Sequence, residues 1–150
     1  MGRQMGCTCL SGLLAVAACA VGPSETRRTV AGDPARAQRA VAAELTSLGF
    51  ARMTMVPDGL EATAAAVPPV WAVCPPILVG DGDDRRRMAS PDRRRAVVRV
   101  AITPAGVGTA VSVATAFTAS YRNSFNGNGV ERACRSTVAV EARLLDAVSK

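Results

Sequence analysis

Four apolar positions set the first element. Ala37, Val41, Leu45 and Leu48 recur at intervals of three and four, while Arg36, Arg39 and Glu44 fall mostly off that stripe. Asp33 followed by Pro34 supplies a helix start: a side-chain acceptor for the first free N–H groups, then a residue whose fixed φ suits the first turn. Gly49 supplies a stop. The pattern predicts one amphipathic helix over about 34–48.

From Ala51 the period changes to two. Ala51, Met53 and Met55 alternate with Arg52 and Thr54, Pro57-Asp58-Gly59 has turn chemistry, and Leu60 to Ala64 returns with the same alternation. This predicts a hairpin, although the alanines of 62–66 also suit a helix. Two proline pairs, 68–69 and 75–76, bracket Val70 to Cys74, which reads as a short edge strand. Residues 79–95 show no apolar period and read as a long mobile loop.

A second hairpin follows. Residues 96–103 are rich in β-branched side chains, 104–108 contain Pro and Gly, and 109–121 alternate strictly. There Val111, Val113, Thr115, Phe117, Ala119 and Tyr121 share one face, and the larger set is expected to meet the helices. Asn123 to Gly129 reads as a loop. A last helix, with Ser136 as its cap, presents Val140, Leu144, Leu145 and Val148 together and leaves Glu141 on its polar flank. The order is helix, hairpin, loop, hairpin, helix. It predicts an α+β fold, an antiparallel sheet of about four strands with both helices on one face.

The N-terminus has a different character. Arg3 precedes an uncharged apolar run from Leu10 to Ala18, too short to span a bilayer, and small residues surround its end. Val16-Ala17-Ala18-Cys19 resembles the bacterial lipobox, with Val16 where that motif usually has Leu. The resemblance implies a signal peptide over 1–18 and a lipidated Cys19 as the mature N-terminus. Two readings of the same residues stand beside it: ordinary secretory cleavage after Ala20, and a buried helix over 10–18. Residues 20–32 lack periodicity, so 19–32 is expected to be a lipidated tether and 33–150 a single domain.

Composition bears on the core and on the compartment. Phe50, Trp71, Phe117, Tyr121 and Phe125 are all the aromatics among 150 residues, so Ala and Val must fill most of the interior. Each buries less area than Leu or Phe, at about 25 cal/mol per Å². A covalent brace would help. Cys7 and Cys9 leave with the signal and Cys19 is consumed by lipid, so Cys74 and Cys134 remain as an even pair for an oxidising compartment; two buried free thiols are the alternative.

Candidate chemistry is sparse. The chain contains no His, which excludes Ser-His-Asp and Cys-His nucleophile systems and His-based zinc sites, and no C-x-x-C motif. Asp81, Asp83 and Asp84 lack the spacing of a calcium loop and are followed at once by arginines, so no metal or cofactor is expected. Glu61, Glu131 and Glu141 are the carboxylates a hydrolase could draw on, but nothing in the sequence places two of them together. The sizeable feature is basic. The net charge is +6, and Arg85, Arg86, Arg87, Arg93, Arg94 and Arg95 crowd one stretch interrupted by Asp92. Arginine binds phosphate through two N–H groups at once. On an exported, tethered protein the expected counterpart is anionic lipid or lipopolysaccharide, and the alternative is a solubilising loop partly neutralised by Asp83, Asp84 and Asp92. Without interleaved aromatics, nucleic acid is not expected.

The architecture, the lipobox and a C-terminal pattern resemble small envelope lipoproteins. That pattern is Cys134-Arg-Ser136-Thr137 followed by Glu141 and Leu144-Leu145. The likeness extends to uncharacterised proteobacterial lipoproteins and, in architecture, to the helix-grip domains of the outer-membrane-protein assembly lipoprotein C family. It implies a family without a known activity. The anchor, the absence of catalytic sets and the sandwich pattern lead to the expectation of a lipid-anchored structural or interaction module, not an enzyme, with an envelope protein as partner. Ala20 in place of an Asp after Cys19 leads to the periplasmic face of the outer membrane. A carrier of an apolar ligand and a carboxylate-only hydrolase are the alternative expectations.

Overall fold

The computed structural model describes residues 24–79, 86–89, 91–122 and 129–150. Its first helix follows the sequence closely. Helix α1 (Pro34–Ser47) opens with the Asp33 carboxylate accepting the Arg36 N–H at 2.8 Å. It closes with Gly49 at φ 83° and the Phe50 N–H on the Leu45 carbonyl. Ala37, Val41 and Leu45 are its buried face.

Both expected hairpins form. β2 (Arg52–Val56) pairs with β3 (Gly59–Ala64), and β7 (Arg93–Ala105) pairs with β8 (Gly108–Arg122). Pairing of β3 with β7 joins the hairpins into one sheet. Gly59 is required at that seam: its φ is 156°, and a Cβ there would lie 1.8 Å from the Val100 carbonyl oxygen.

The sheet has seven strands, not about four. The difference arises at the second edge of β8, which two strands share end to end. β1 (Ser24–Ala31) pairs with Gly108 to Thr115, and β9 (Gly129–Ser136) pairs with Phe117 to Arg122. β4 (Ala72–Val73), entered through a 3-10 turn at Pro69–Trp71, then extends β9 outward. The strand order is β2-β3-β7-β8-β9-β4, with β1 beside β9 on β8. α2 (Ala139–Ala147) packs next to α1, and both helices lie on one face. The fold is α+β.

Three sequence expectations need correction. The tether expected over 19–32 is strand from Ser24 on. Of Glu25 to Ala31 only Val30 is buried, so the segment has no apolar signature. It is held by ladder hydrogen bonds and by Arg28, whose guanidinium donates to the Leu145 carbonyl, Asp146 and Ser149 at 3.0–3.2 Å. The loop expected over 79–95 is also partly strand. β5 (Ile77–Val79) and β6 (Arg86–Ala89) form a separate ribbon, and Arg93 to Arg95 begin β7. Its polar side chains hid pairing that backbone groups alone can satisfy. Finally, the α2 cap residue is Val138, at φ 67°, not Ser136. Ser136 Oγ instead accepts the Val138 N–H at 2.9 Å.

The core lies between the helices and one sheet face. Val111, Val113, Thr115, Phe117, Ala119 and Tyr121 of β8 are all buried there, as the alternation indicated. Trp71 stacks on Phe50 with centroids 6.2 Å apart. Cys74 and Cys134 are joined in a disulfide across 60 residues, with Cα atoms 4.3 Å apart.

Candidate functional site

Among the described residues, no helix packs over the face of the sheet opposite α1 and α2. By alternation from the buried positions, that face carries Ala110, Ser112, Ala114, Ala116, Thr118 and Ser120 along β8, a flat central strip of small side chains. Arginines stand on both sides of this strip. Arg27 comes from β1, Arg52 from β2, Arg93, Arg95 and Arg99 from β7, and Arg122 from β8 itself; Glu25, Glu61 and Glu131 are the acids on the same face. Arg99 meets Glu61 at 2.6 Å and Arg95 meets Glu131 at 3.5 Å. The surface is therefore cationic by an excess of guanidinium groups.

At one end these groups converge. A groove of about 490 Å³ is lined by Arg52, Thr63, Arg93, Arg95 and Val97 together with Ala51, Ala64, Ala65 and Ala96. Register explains the meeting: Arg52 lies opposite Thr63, Thr63 opposite Val97, and Arg93 and Arg95 continue the face that Val97 begins. Arg52 and Arg93 form no ion pair among the described residues. Like charges gathered on one sheet face repel. An anion in the groove would relieve that repulsion, and the guanidinium fork suits the paired oxygens of a phosphate.

Among the arginines singled out from sequence, Arg93 and Arg95 reach this groove. Arg94 points to the helix side, where its Nε is buried without a hydrogen-bond partner among the described residues. Arg86 and Arg87 lie in β6, and Arg85 falls outside the described residues, as does Cys19. Sequence reasoning missed Arg52 and Thr63. The alternation around Met53 already put Arg52 on one face of a strand, but which neighbours that face would meet depends on the long-range β3–β7 pairing.

The carboxylates are dispersed. Glu61 and Glu131 are each engaged by an arginine on the open face, while Glu141 lies on the helix side. Expected on the polar flank of its helix, Glu141 is fully buried. The correction has a clear cause: α2 lies over β8, so this flank faces the sheet and not water. Glu141 Oε1 accepts from the Thr115 and Ser136 hydroxyls, the latter at 2.8 Å, and Oε2 has no partner among the described residues. Its place in the first turn of α2 puts the carboxyl at the positive end of the helix dipole. Toward the far end of β8, the Tyr121 hydroxyl donates to the Pro75 carbonyl, and burial raises its pKa above the usual 10.0 against the opposing pull of Arg94 and Arg132. Among the described residues no group of three or more Cys, Asp or Glu is placed to hold a metal.

Fold and surface together define a class: a small α+β sandwich with one sheet face sealed by helices and the other open and cationic. No protein family, curated protein or solved structure matches the chain.

Proposed function

We propose that this chain is a lipid-anchored interaction module of the bacterial cell envelope, with no catalytic role of its own. It is exported by residues 1–18 and tethered through Cys19 to the periplasmic face of the outer membrane. The observation that carries the reading is the Cys74–Cys134 disulfide. Such bonds persist in oxidising compartments outside the cytosol, which agrees with the signal-like N-terminus. The open face, with its strip of small side chains and flanking charges, supports the interaction role. No helix among the described residues is long and apolar enough to cross a membrane.

The experiment is direct. Cys19→Ala should abolish palmitate labelling and move the protein from the membrane to the soluble fraction, since acyl anchoring contributes about 0.8 kcal/mol per buried CH₂. Unchanged membrane fractionation of the variant would refute the anchor. An envelope protein recovered in stoichiometric amount after solubilisation would support the partner role, and recovery of bound lipid alone would favour a carrier.

A further inference from the structure

We infer that the groove of Arg52, Thr63, Arg93 and Arg95 is a docking site for the phosphate of an anionic lipid headgroup in the bilayer that holds the protein. The inference rests on the anchored reading above and adds an orientation to it: the open sheet face meets the membrane.

Three observations lead there. The first is charge. Three guanidinium groups and one hydroxyl line about 490 Å³ of open groove, and one carboxylate, Glu131, engages one of the three at 3.5 Å. A monoanionic phosphodiester complements this set, and each of its free oxygens can accept from a guanidinium fork. The second is reach. Cys19 stands five positions before Ser24, and five residues extend at most about 18 Å. Because β1 is a strand and not part of the tether, the domain is held close to its anchor. The third is position. Ser24 lies beside Thr115 on one edge of β8, while Arg95 lies beside Thr118 on the other. At about 4.8 Å between strands and 3.4 Å per residue, Arg95 is about 14 Å from the start of β1. By the same spacings Arg93 and Arg52 are about 20 Å from it, so the groove lies about one tether's length from the point where the chain leaves for the membrane.

The geometry also separates a built site from a diffuse basic surface. Arg27 and Arg135 are exposed arginines outside the groove lining. A surface potential draws on every arginine alike, whereas a phosphate held by paired N–H groups needs the groove residues as arginines.

The test uses the chain from Ala20 onward, which keeps the buried core among the described residues, from Val30 on, and both disulfide cysteines. Co-sedimentation is measured with vesicles of phosphatidylcholine, with and without phosphatidylglycerol. Binding is expected only where phosphatidylglycerol is present and should fade with salt. Each arginine near an anionic surface strengthens binding about fivefold, so the surface potential alone weakens it about thirtyfold for any pair removed from this face. Arg27→Ser with Arg135→Ser removes such a pair outside the groove and should show that loss. Arg52→Ser with Arg93→Ser should weaken binding well beyond it, because the paired N–H contacts to phosphate are lost as well. Arg52→Lys with Arg93→Lys keeps the charge and should still lose most of the binding, because lysine lacks the fork. Equal weakening by the two serine pairs, or full binding by the lysine pair, overturns the site. So does saturation by inorganic phosphate, or capture of an acidic protein, without vesicle binding. Palmitate labelling of the full chain reads the anchor separately. Labelling with no vesicle binding sinks the groove alone, and vesicle binding without labelling sinks the anchor and the orientation built on it.

Discussion

Glu141 offers the sharpest test of the packing. In Glu141→Ala, the Thr115 hydroxyl loses its acceptor at a site 1% exposed, and Ser136 loses the same partner. A hydrogen bond to a charged or buried group is worth about 1–3 kcal/mol, and leaving its donor unpaired costs a similar amount. Removing the unpartnered Oε2 returns part of this. The net loss should be about 3 kcal/mol, with truncation of a buried side chain included. For a domain of this size that is about 10 °C in Tm. Thermal and urea unfolding, followed by circular dichroism, would read it. A double-mutant cycle with Thr115→Val isolates the pair, since replacing both partners by apolar groups costs less than the sum of the single changes. A coupling of about 1 kcal/mol or more is expected for groups in contact. Loss of under about 1 kcal/mol in Glu141→Ala, with no coupling to Thr115, would return Glu141 to the helix surface and show that α2 does not lie on β8 as described.

Two further perturbations follow from particular contacts. Removing the disulfide by Cys74→Ser with Cys134→Ser opens a closed loop of 60 residues; chain entropy sets the loss at about 4 kcal/mol at most, and an unchanged urea midpoint in non-reducing buffer would show that the bond does not form. The pH dependence has two limbs with opposite signs. Tyr121 is raised above 10.0 in the fold by burial, so its contribution is complete below the unfolded value and is lost as pH rises through the folded one. Asp33 is lowered below 3.8, first by the Arg36 backbone hydrogen bond, so its contribution is present above that value and is lost as pH falls through the folded one. Tyr121→Phe should flatten the alkaline limb and Asp33→Asn the acid limb of a Tm–pH profile. Unaltered limbs would mean that other groups set them.

The sequence by itself determined the elements whose signal is local. α1 could be read because its cap, its stripe and its stop all lie within one stretch from Asp33 to Gly49. The two hairpins could be read from turn residues flanked by alternation, and the core face of β8 from side chains of alternating size. The pairing of Cys74 with Cys134 was expected by elimination, once Cys7, Cys9 and Cys19 were assigned to an expected signal and anchor. The elements themselves need no distant partner. Tertiary structure decided the rest, and the reason is the same in each case. β1 and β9 are mostly polar, and they are strands because the fifteen residues of β8 outrun any single neighbour and leave backbone N–H and C=O groups for two strands to share. Ladder hydrogen bonds carry no side-chain signature, so nothing in Ser24–Ala31 distinguishes a strand from a tether. Glu141 lies on the flank of α2 that looked solvated, and only the seating of that helix over Thr115 buries it. Arg52 joins Arg93 and Arg95 because β3 pairs in one register with β7; a shift of one residue would turn them to opposite faces. Periodicity says which side of an element is apolar, but which elements become neighbours is settled by long-range pairing, and the arginine groove exists only at that level.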